Sequence, residues 1–354
     1  MSRFTGSVRG GGGLIAGTAG ALVVLIVAVL AFGALSLWIY KGAGPKARNG
    51  EVTTVILRKG AGVSEIAADL QQAGVVNSAP LFLAAVQVTR AAKGLRAGEY
   101  AFPSRDSLAQ VIRRIRRGDV VHHRVTIPEG LTSSQAVDVL MRTDVLVGTV
   151  APPPEGAILP ETYEVVRGEQ RSAVLQRMTD ARDRLVAALW GKRRSGLPFA
   201  DVNQAVTMAS IVEKETALDA ERPKVAAVYI NRLRQGMRLE ADPTVIYAVS
   251  AGAPLGHGLR VSELHTASPY NTYLNIGLPP GPIANPGRAS LAAVMDPPDI
   301  KALFFVADGS GGHAFADTEA EHEKNVARWR AIEKRQAQTV TLAGAPAAPP
   351  LEHR

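Results

Sequence analysis

The sequence predicts a mixed α+β protein with a single N-terminal transmembrane helix, a small α/β module and a larger α+β domain. Residues 14–40 form an apolar run without a charge, and a strand, turn and helix pattern occurs twice between residues 55 and 140. The later chain alternates helical patterns with Gly/Pro-rich loops. The 354 residues, of which 46% are hydrophobic, provide for two folded units plus accessory segments.

The composition excludes several kinds of chemistry. Cysteine is absent, so the chain has no disulfide, thiolate metal site, cysteine nucleophile or lipoprotein anchor. The net charge of +8 suits an anionic partner, which can be nucleic acid, a membrane surface or a cell-wall polymer. Only 5% of residues are aromatic and no nucleic-acid motif occurs, so we do not expect nucleic acid as a partner.

The apolar run at residues 14–40 is long enough to cross a bilayer, and Trp38 and Tyr40 suit its interfacial edge. Because it exceeds the roughly 7–15 residues of a signal-peptide core, an uncleaved anchor is favoured over a cleaved signal peptide. Basic residues flank both ends, so charge leaves the orientation open. Residues 41–50 are expected to form a polar linker that holds the rest of the chain off the membrane.

Residues 55–70 resemble residues 125–140 at a constant offset of 70, with Ser64 matching Ser134. We interpret each copy as a strand, a turn and a helix that is capped by Ser or Thr. The apolar face of the first helix is predicted at Ile66, Ala67 and Leu70. Small modules of this kind typically bind rather than catalyse.

Between the two copies, the sequence predicts a helix over residues 78–93, the extended segment AGEYAF and the helix SLAQVIRRIRRG. The four arginines of that last helix are interpreted as helix-dipole partners and solvated surface, rather than as contacts to an anionic polymer. The expected segments of the whole chain are 1–13, 14–40 (transmembrane), 41–50 (linker), 51–120, 121–197, 198–336 and 337–354 (disordered tail).

The C-terminal part is expected to contain helices over residues 172–190, after Pro223, over 288–295 and, with polar character, over 318–334. A turn is predicted at Asp242-Pro243-Thr244, and a hairpin at LFFVADGSGGHAF. The long loop SPYNTYLNIGLPPGPIANPG is typical of a binding site rather than of a linker.

Glu215 is the leading candidate for catalysis. On a helical wheel, Met208, Ile211, Val212 and Leu218 lie within about 60° of it, so its carboxylate points out of an apolar stripe. Burial raises the pKa of a carboxyl group toward the range in which it donates a proton near neutrality.

The alternative for Glu215 is a structural ion pair with Arg222, which lies about 20° away on the same wheel. The wheel alone does not decide between the two. Glu213 lies about 160° around the helix from Glu215, so the two acids are not expected to face one cleft.

Several motifs occur in a fixed order: ASIVEKET from residue 209, MRLEADPTVIY from 237, SPYNTY from 268, GLPPGPIANPG from 277 and FVADGSGGH from 305. Upstream, GEY, PEGLT and LPETY belong to the same pattern. Together they resemble the endolytic murein transglycosylases of the MltG (YceG-like) family over nearly the whole chain. One departure is Ile158-Leu159, where an aromatic residue is expected before the proline.

The resemblance implies a LysM-like module at residues 51–120 and a catalytic domain at residues 198–336. It implies non-hydrolytic cleavage of the β-1,4 bond between N-acetylmuramic acid and N-acetylglucosamine, giving 1,6-anhydro ends and terminating strand elongation. The family's catalytic glutamate falls on the second acid of EKET, which is Glu215. No cofactor is implied.

The resemblance also implies a location and partners. The protein would sit in the inner membrane with a cytoplasmic N-terminus and an extracytoplasmic catalytic part. Its partners would be peptidoglycan glycan strands, with synthases of the elongation or division machinery as further candidates.

Residue types suggest supporting roles around Glu215. The side chains of Tyr270, Asn271, Thr272 and Tyr273 suit an N-acetyl group or a sugar ring, although the segment can also be a turn held by Asn271. The other candidate supporting residues are Glu213, which is expected beside the site or on the surface, Asp242, Thr244 and His313. The histidines lack zinc-type spacing, so no metal is expected.

Two other functions stay open at the level of sequence. A hydrolytic muramidase would use Glu215 with Asp242 or Asp219, one of which would activate water. A non-catalytic glycan-binding scaffold would use the repeat at residues 55–140. The apolar stripe around Glu215 argues against the scaffold.

Overall fold

A computed structural model of the chain describes residues 12–48 and 50–343, with side chains described for 21–48 and 50–336. The expected cytoplasmic segment before residue 12 and the tail after residue 343 lie outside the described residues. The chain divides into two compact units between His123 and Arg124, and Val166–Gly168 returns to the N-terminal unit. Residues 124–165 belong to the same unit as the segment after residue 198, so the expected boundary at 198 has no counterpart in this division.

The chain is mixed α+β, as the sequence predicts. Helix α1 (Gly12–Lys41) opens the N-terminal unit, and its part Ala21–Lys41 is long and apolar enough to cross a membrane. That part is exposed except at Tyr40 near its end, which is half-buried, and this distinguishes it from the core helix of a soluble domain. Among the described residues, α1 is the one helix that meets both criteria.

The remainder of the N-terminal unit follows the order strand, helix, helix, strand, helix. Strand β1 (Val52–Leu57) pairs antiparallel with β2 (Gly98–Pro103), from Val52 opposite Pro103 to Leu57 opposite Gly98. Helices α2 (Val63–Gln72) and α3 (Ala79–Val88) lie between the strands in sequence, and α4 (Leu108–Arg117) follows them. The predicted face of Ile66, Ala67 and Leu70 is buried. The LysM-like assignment of this unit stays a prediction.

The segment after α1 is not the spacer that the sequence suggests. Its backbone bonds to the turn between β2 and α4: the Gly44 N–H donates to the Arg105 carbonyl at 3.1 Å, and the Arg105 N–H donates to the Pro45 carbonyl at 2.9 Å. The Ala47 N–H also donates to the Ser104 hydroxyl at 3.1 Å. Because these polar groups are satisfied by the unit itself, residues 42–47 form a strap along it rather than a free linker.

The two copies of the repeat differ in how their helices begin. Helix α5 (Ser133–Met141) starts after Thr132, whose hydroxyl and the side chain of Gln135 form a reciprocal capping box. Helix α2 starts after Gly62, which has no side chain to accept a hydrogen bond. The predicted Ser or Thr cap is therefore confirmed in the second copy, where it is Thr132, and is wrong for the first copy, where Gly62 occupies the capping position.

The C-terminal unit is built from short strands and seven helices in its described part. Its strands are β3 (His122–Thr126), which begins just before the unit boundary, β4 (Leu146–Val147), β5 (Thr162–Val166), β6 (Glu169–Gln170), β7 (Phe304–Ala307) and β8 (His313–Ala316). Besides α5, its helices are α6 (Arg171–Gly191), α7 (Val202–Glu215), α8 (Arg222–Arg234), α9 (Asp242–Ser250), α10 (Arg288–Met295) and α11 (Glu319–Ala343). Strand β3 pairs with β5, β4 pairs parallel with β6, and β7 and β8 form the predicted antiparallel hairpin.

Helix α7 lies at the centre of this unit. Every residue from Ala205 to Val212 is buried, and the helix packs against α8 and α10. Such all-round burial is typical of a helix surrounded by other elements. The fully buried Asn285 ties residues 124–165 to this core: its amide donates to the Leu131 carbonyl at 3.0 Å and accepts from the Ile158 N–H at 2.9 Å.

Two local predictions for this unit are wrong. Asp242-Pro243-Thr244 is the first turn of helix α9 rather than an isolated turn, because proline is tolerated where the backbone N–H has no helical partner. Helix α11 continues to Ala343, so the predicted disordered tail at residues 337–354 is wrong for residues 337–343. The helix has no proline to stop it before that point.

Candidate active site

Glu215 is the last residue of helix α7. Asp201 caps the start of the helix, because its Oδ1 accepts hydrogen bonds from the N–H groups of Asn203 at 2.8 Å and Gln204 at 3.0 Å. It ends because Thr216 is extended, with φ −137° and ψ 136°. The predicted apolar neighbours Met208, Ile211 and Val212 are fully buried. The prediction is wrong for the fourth residue, Leu218, because it lies beyond the end of the helix and is 43% exposed.

The Glu215 side chain faces a cavity of about 250 Å³. Four further elements, α8, α9, β7 and α11, and two loops supply its walls, so the cavity exists only in the folded unit. The lining residues are Glu215 from α7, Tyr229 and Arg232 from α8, Leu239 and Glu240 from the following loop, Asp242 from α9, Tyr273, Phe305 and His322.

The Glu215 carboxyl group is held close to its neutral form. Burial first, and then the negative charge of Asp242, raise its pKa to about 7, against opposing effects from the Tyr229 hydroxyl and the Arg232 guanidinium. Its Oε2 atom is buried and has no hydrogen-bond partner among the described residues. A carboxyl group in this state carries a proton near neutrality and has an atom free to deliver it.

Asp242 is the second carboxylate of the cavity, and its surroundings differ from those of Glu215. It is an exposed residue at the start of α9, and its Oδ1 accepts a hydrogen bond from the Tyr273 hydroxyl at 2.6 Å. Burial and this carboxylate raise the pKa of Tyr273, so the hydroxyl stays a donor. The site thus pairs a buried acid with an exposed one.

Arg232 provides a fixed positive charge. Its Nε donates to the Leu303 carbonyl at 2.7 Å, and its Nη1 donates to the Leu239 carbonyl at 2.9 Å and to Glu240 Oε2 at 3.1 Å. These bonds leave the guanidinium little freedom to move away from the cavity. Burial and Arg232 also lower the pKa of His322, which favours the neutral imidazole.

The alternative pairing of Glu215 with Arg222 is wrong. The helix ends at Glu215, so the wheel does not extend to Arg222, which bonds instead to Glu213 Oε1 at 3.2 Å and to Asp219. The side chain of Glu213 is only 4% exposed, and its Oε2 accepts from the Gly287 N–H at 2.7 Å. Glu213 is therefore a buried structural partner of Arg222, neither a surface residue nor part of the cavity lining.

Of the YNTY segment, Tyr273 lines the cavity and its three neighbours do not. The fully buried Asn271 amide donates to the carbonyls of Leu264 and Thr266, both at 2.9 Å, so it holds the turn as the alternative interpretation has it. Thr272 and Thr244 are buried and share a hydrogen bond of 2.9 Å between their hydroxyls. This bond fixes the loop of Tyr273 to the start of α9.

Tyr270 and His313 lie outside the cavity lining. Tyr270 packs against Tyr247, with ring centroids 4.9 Å apart. His313 Nδ1 bonds to Glu221 Oε2 at 2.7 Å, and its ring meets that of Phe305 edge to face at 5.3 Å. His313 is thus separated from the cavity by Phe305. The described residues contain no group of three or more His, Asp or Glu suited to a metal ion.

Sequence reasoning missed Tyr229, Arg232, Glu240 and His322. One signal was present: Tyr229 and Arg232 are three residues apart on α8 and therefore share a helix face. His322 has no local signal, because it lies more than 100 residues from Glu215 and reaches the cavity through the packing of α11 against β7 and β8.

The C-terminal unit also contains a second cavity, of about 390 Å³. Lys214 and Pro243 are among its lining residues, and they are the sequence neighbours of Glu215 and Asp242. The remaining wall includes Tyr247, Leu255 and Ile283.

The raised pKa of Glu215 predicts a pH-dependent effect of Glu215→Gln on stability. From the ordinary value of 4.5 to about 7, the folded state binds a proton that the unfolded state has lost, so this group destabilises the fold increasingly as pH rises. Between pH 4 and pH 8, the free energy of unfolding of the variant relative to the wild type should therefore rise by about 3 kcal/mol.

Urea unfolding at several pH values measures this difference. The control is Glu161→Gln, which removes a half-exposed partner of Arg288 and should change stability by less than about 1 kcal/mol at every pH. A difference between Glu215→Gln and wild type that stays constant with pH would contradict the burial argument.

The chain is similar to known proteins over most of its length. The model of the YceG-like family matches residues 55–328. An endolytic murein transglycosylase of Bacillus subtilis is 29% identical over 300 residues, which cover 75% of this chain and 81% of that protein. One of Streptococcus pneumoniae is 26% identical over 330 residues, which cover 79% of this chain and 59% of that protein.

A solved structure shows the same relationship. The crystal structure of a YceG-like protein from Listeria monocytogenes superposes with a TM-score of 0.51 at 29% identity, and the match covers 78% of this chain and 99% of that one. Since the family model spans most of the sequence, the chain belongs to the YceG-like family.

Proposed function

We propose that this protein is an endolytic murein transglycosylase that cleaves the β-1,4 bond between N-acetylmuramic acid and N-acetylglucosamine without water. The observation that carries the proposal is the buried Glu215 carboxyl, whose pKa is raised to about 7 and whose Oε2 faces a polar cavity without a partner. The names of the bacterial relatives support the reaction class.

In the first step, Glu215 acts as a general acid. Its proton moves to the glycosidic oxygen while the bond from that oxygen to C1 of the muramoyl residue breaks. A glutamic acid with an ordinary pKa has lost this proton at neutrality, whereas the raised pKa of Glu215, about 7, lets it hold the proton there. The Tyr229 hydroxyl and Arg232 favour the carboxylate that remains.

In the second step, the same carboxylate acts as a general base. The C6 hydroxyl of the muramoyl residue attacks C1, a C1–O6 bond closes the 1,6-anhydro ring, and the hydroxyl proton returns to Glu215. The enzyme is restored and no water enters the product. The exposed carboxylate of Asp242 is suited to stabilise positive charge that develops on the sugar between the two steps.

A muramidase is the second candidate, and one observation favours it. Asp242 lines the cavity of Glu215, and two carboxylates of different burial are the equipment of glycoside hydrolases. In that mechanism Asp242 would activate water or attack C1 itself, and the product would have a reducing end.

Replacing the acid tests the proposal directly. Glu215→Gln keeps the size of the side chain but cannot donate the proton, so cleavage of purified sacculi should fall by at least about 100-fold. Mass spectrometry of wild-type products should find 1,6-anhydro ends, about 18 mass units lighter than hydrolysed ends. Glu161→Gln is the control and should remain active. Reducing ends would indicate the muramidase, and an active Glu215→Gln would overturn both mechanisms.

Asp242→Asn separates the two mechanisms. In the transglycosylase, removing this negative charge lowers the pKa of Glu215, so the alkaline limb of the kcat/KM profile should move to lower pH. We expect activity at the optimum to fall by less than about tenfold. A required second carboxylate would instead make the loss about 100-fold or more at every pH. The measurement is the pH profile on sacculi.

We also infer that α1 anchors the protein in the cytoplasmic membrane with the bulk of the chain outside, where its substrate lies. There, cleavage within a nascent strand would end its elongation. Protease added to spheroplasts should then digest the chain after α1, while a cytoplasmic marker protein stays intact. Protection of the whole chain would contradict this orientation.

A further inference from the structure

A cavity of about 340 Å³ lies in the N-terminal unit, far along the sequence from Glu215. Three arginines of α4 line it, Arg113, Arg116 and Arg117, together with Ala109, Ile112 and the ring of Tyr40 from α1. The α4 residues are spaced by three and four positions, so they form one face of the helix. The cavity therefore has an apolar floor and three guanidinium groups at its wall.

The ion pairs of the described residues leave these three arginines out. Within the described residues, no carboxylate forms an ion pair with Arg113, Arg116 or Arg117, and all three are exposed. Arg114, in the same run, shows the contrast: it turns to Asp106 at 3.5 Å. Arg114 therefore forms an ion pair within the unit, whereas the other three arginines of the run place unpaired positive charges at the cavity.

The arginine wall is partly ordered by packing. Arg116 lies over Gly94, where an added Cβ would approach Arg116 Nε to 3.4 Å. Helix α1 contacts α4 directly, and the strap of residues 42–47 is bonded to the turn before α4. The cavity is therefore held at the end of α1 rather than separated from it by a flexible spacer.

The position of Tyr40 indicates the level of the cavity relative to a membrane. Tyr40 is the last aromatic residue of the apolar helix and half-buried against the core of the unit. Tyrosine at the end of a spanning helix lies at the level of lipid headgroups. The three arginines beside it then meet the phosphate layer of the outer leaflet.

We propose that this cavity binds the phosphate headgroup of an anionic membrane lipid. Guanidinium groups match phosphate oxygens in charge and in geometry, and a lipid whose acyl chains lie along α1 places its phosphate beside Tyr40. Binding there would fix the N-terminal unit on the membrane surface. The proposal depends on the membrane anchor but not on the reaction at Glu215.

Native mass spectrometry of the full chain in a neutral detergent tests the site. Phosphatidylglycerol and phosphatidylcholine are titrated in separate samples, and the fraction of protein with one bound lipid is measured. We expect one phosphatidylglycerol per chain and little phosphatidylcholine. The variant Arg113→Gln/Arg116→Gln/Arg117→Gln should bind phosphatidylglycerol about 100-fold more weakly. Each basic residue near an anionic lipid surface raises the affinity about fivefold, and the variant removes three of them.

The matched control is Arg58→Gln/Lys59→Gln/Arg90→Gln, which removes the same charge from exposed positions of this unit that do not line the cavity. It should bind like the wild type, and circular dichroism should show all three proteins equally folded. If both triple variants lost phosphatidylglycerol binding equally, the loss would be explained by net charge alone, and the proposed site would be wrong. Equal occupancy by phosphatidylcholine, or by glycerol phosphate without acyl chains, would exclude an anionic membrane lipid as the ligand.

Discussion

The position of Glu215 in the fold disfavours the ionised form of its carboxyl group. The other groups of the site act on this ionisation. The residue ends a helix whose preceding turns are completely buried, so its carboxyl enters the cavity from protein rather than from water. The C-terminal end of a helix also carries a partial negative charge that disfavours an anion. Either effect alone favours the protonated acid, and α7 combines them.

The cavity also contains polar groups that stabilise the ionised form of Glu215. Tyr229 and Arg232 lie on one face of α8, and Arg232 is held by carbonyl groups near β7 and before α9. The bond between Thr244 and Thr272 fixes Tyr273 beside Asp242. Burial thus disfavours the charged form of Glu215, whereas the two donors favour it. The balance keeps the pKa of Glu215 near neutrality, where one carboxyl group can both donate and accept a proton.

Local patterns predicted the elements well where each pattern lies within one element. Helix α10 and the hairpin of β7 and β8 follow directly from periodicity and turn residues. Errors arose where an element ended: the wheel that selected Glu215 was extended to Leu218 and Arg222, beyond the end of α7. Of the residues that line the cavity, sequence reasoning named Glu215, Asp242 and Tyr273. His322 and Arg232 required tertiary packing that no local pattern contains.

Two helix ends give the two carboxyl groups of the cavity different electrostatic surroundings. Glu215 lies at the C-terminus of α7, whereas Asp242 lies in the first turn of α9, where the partial positive charge of the helix favours an anion. Asp242 is also exposed and receives the Tyr273 hydroxyl, so water and a donor both support its charge. That charge acts back on Glu215 and raises the pKa of the buried acid. The proposed mechanism uses this difference: Asp242 acts on Glu215 through its charge, and Glu215 is the group proposed to donate and accept the proton.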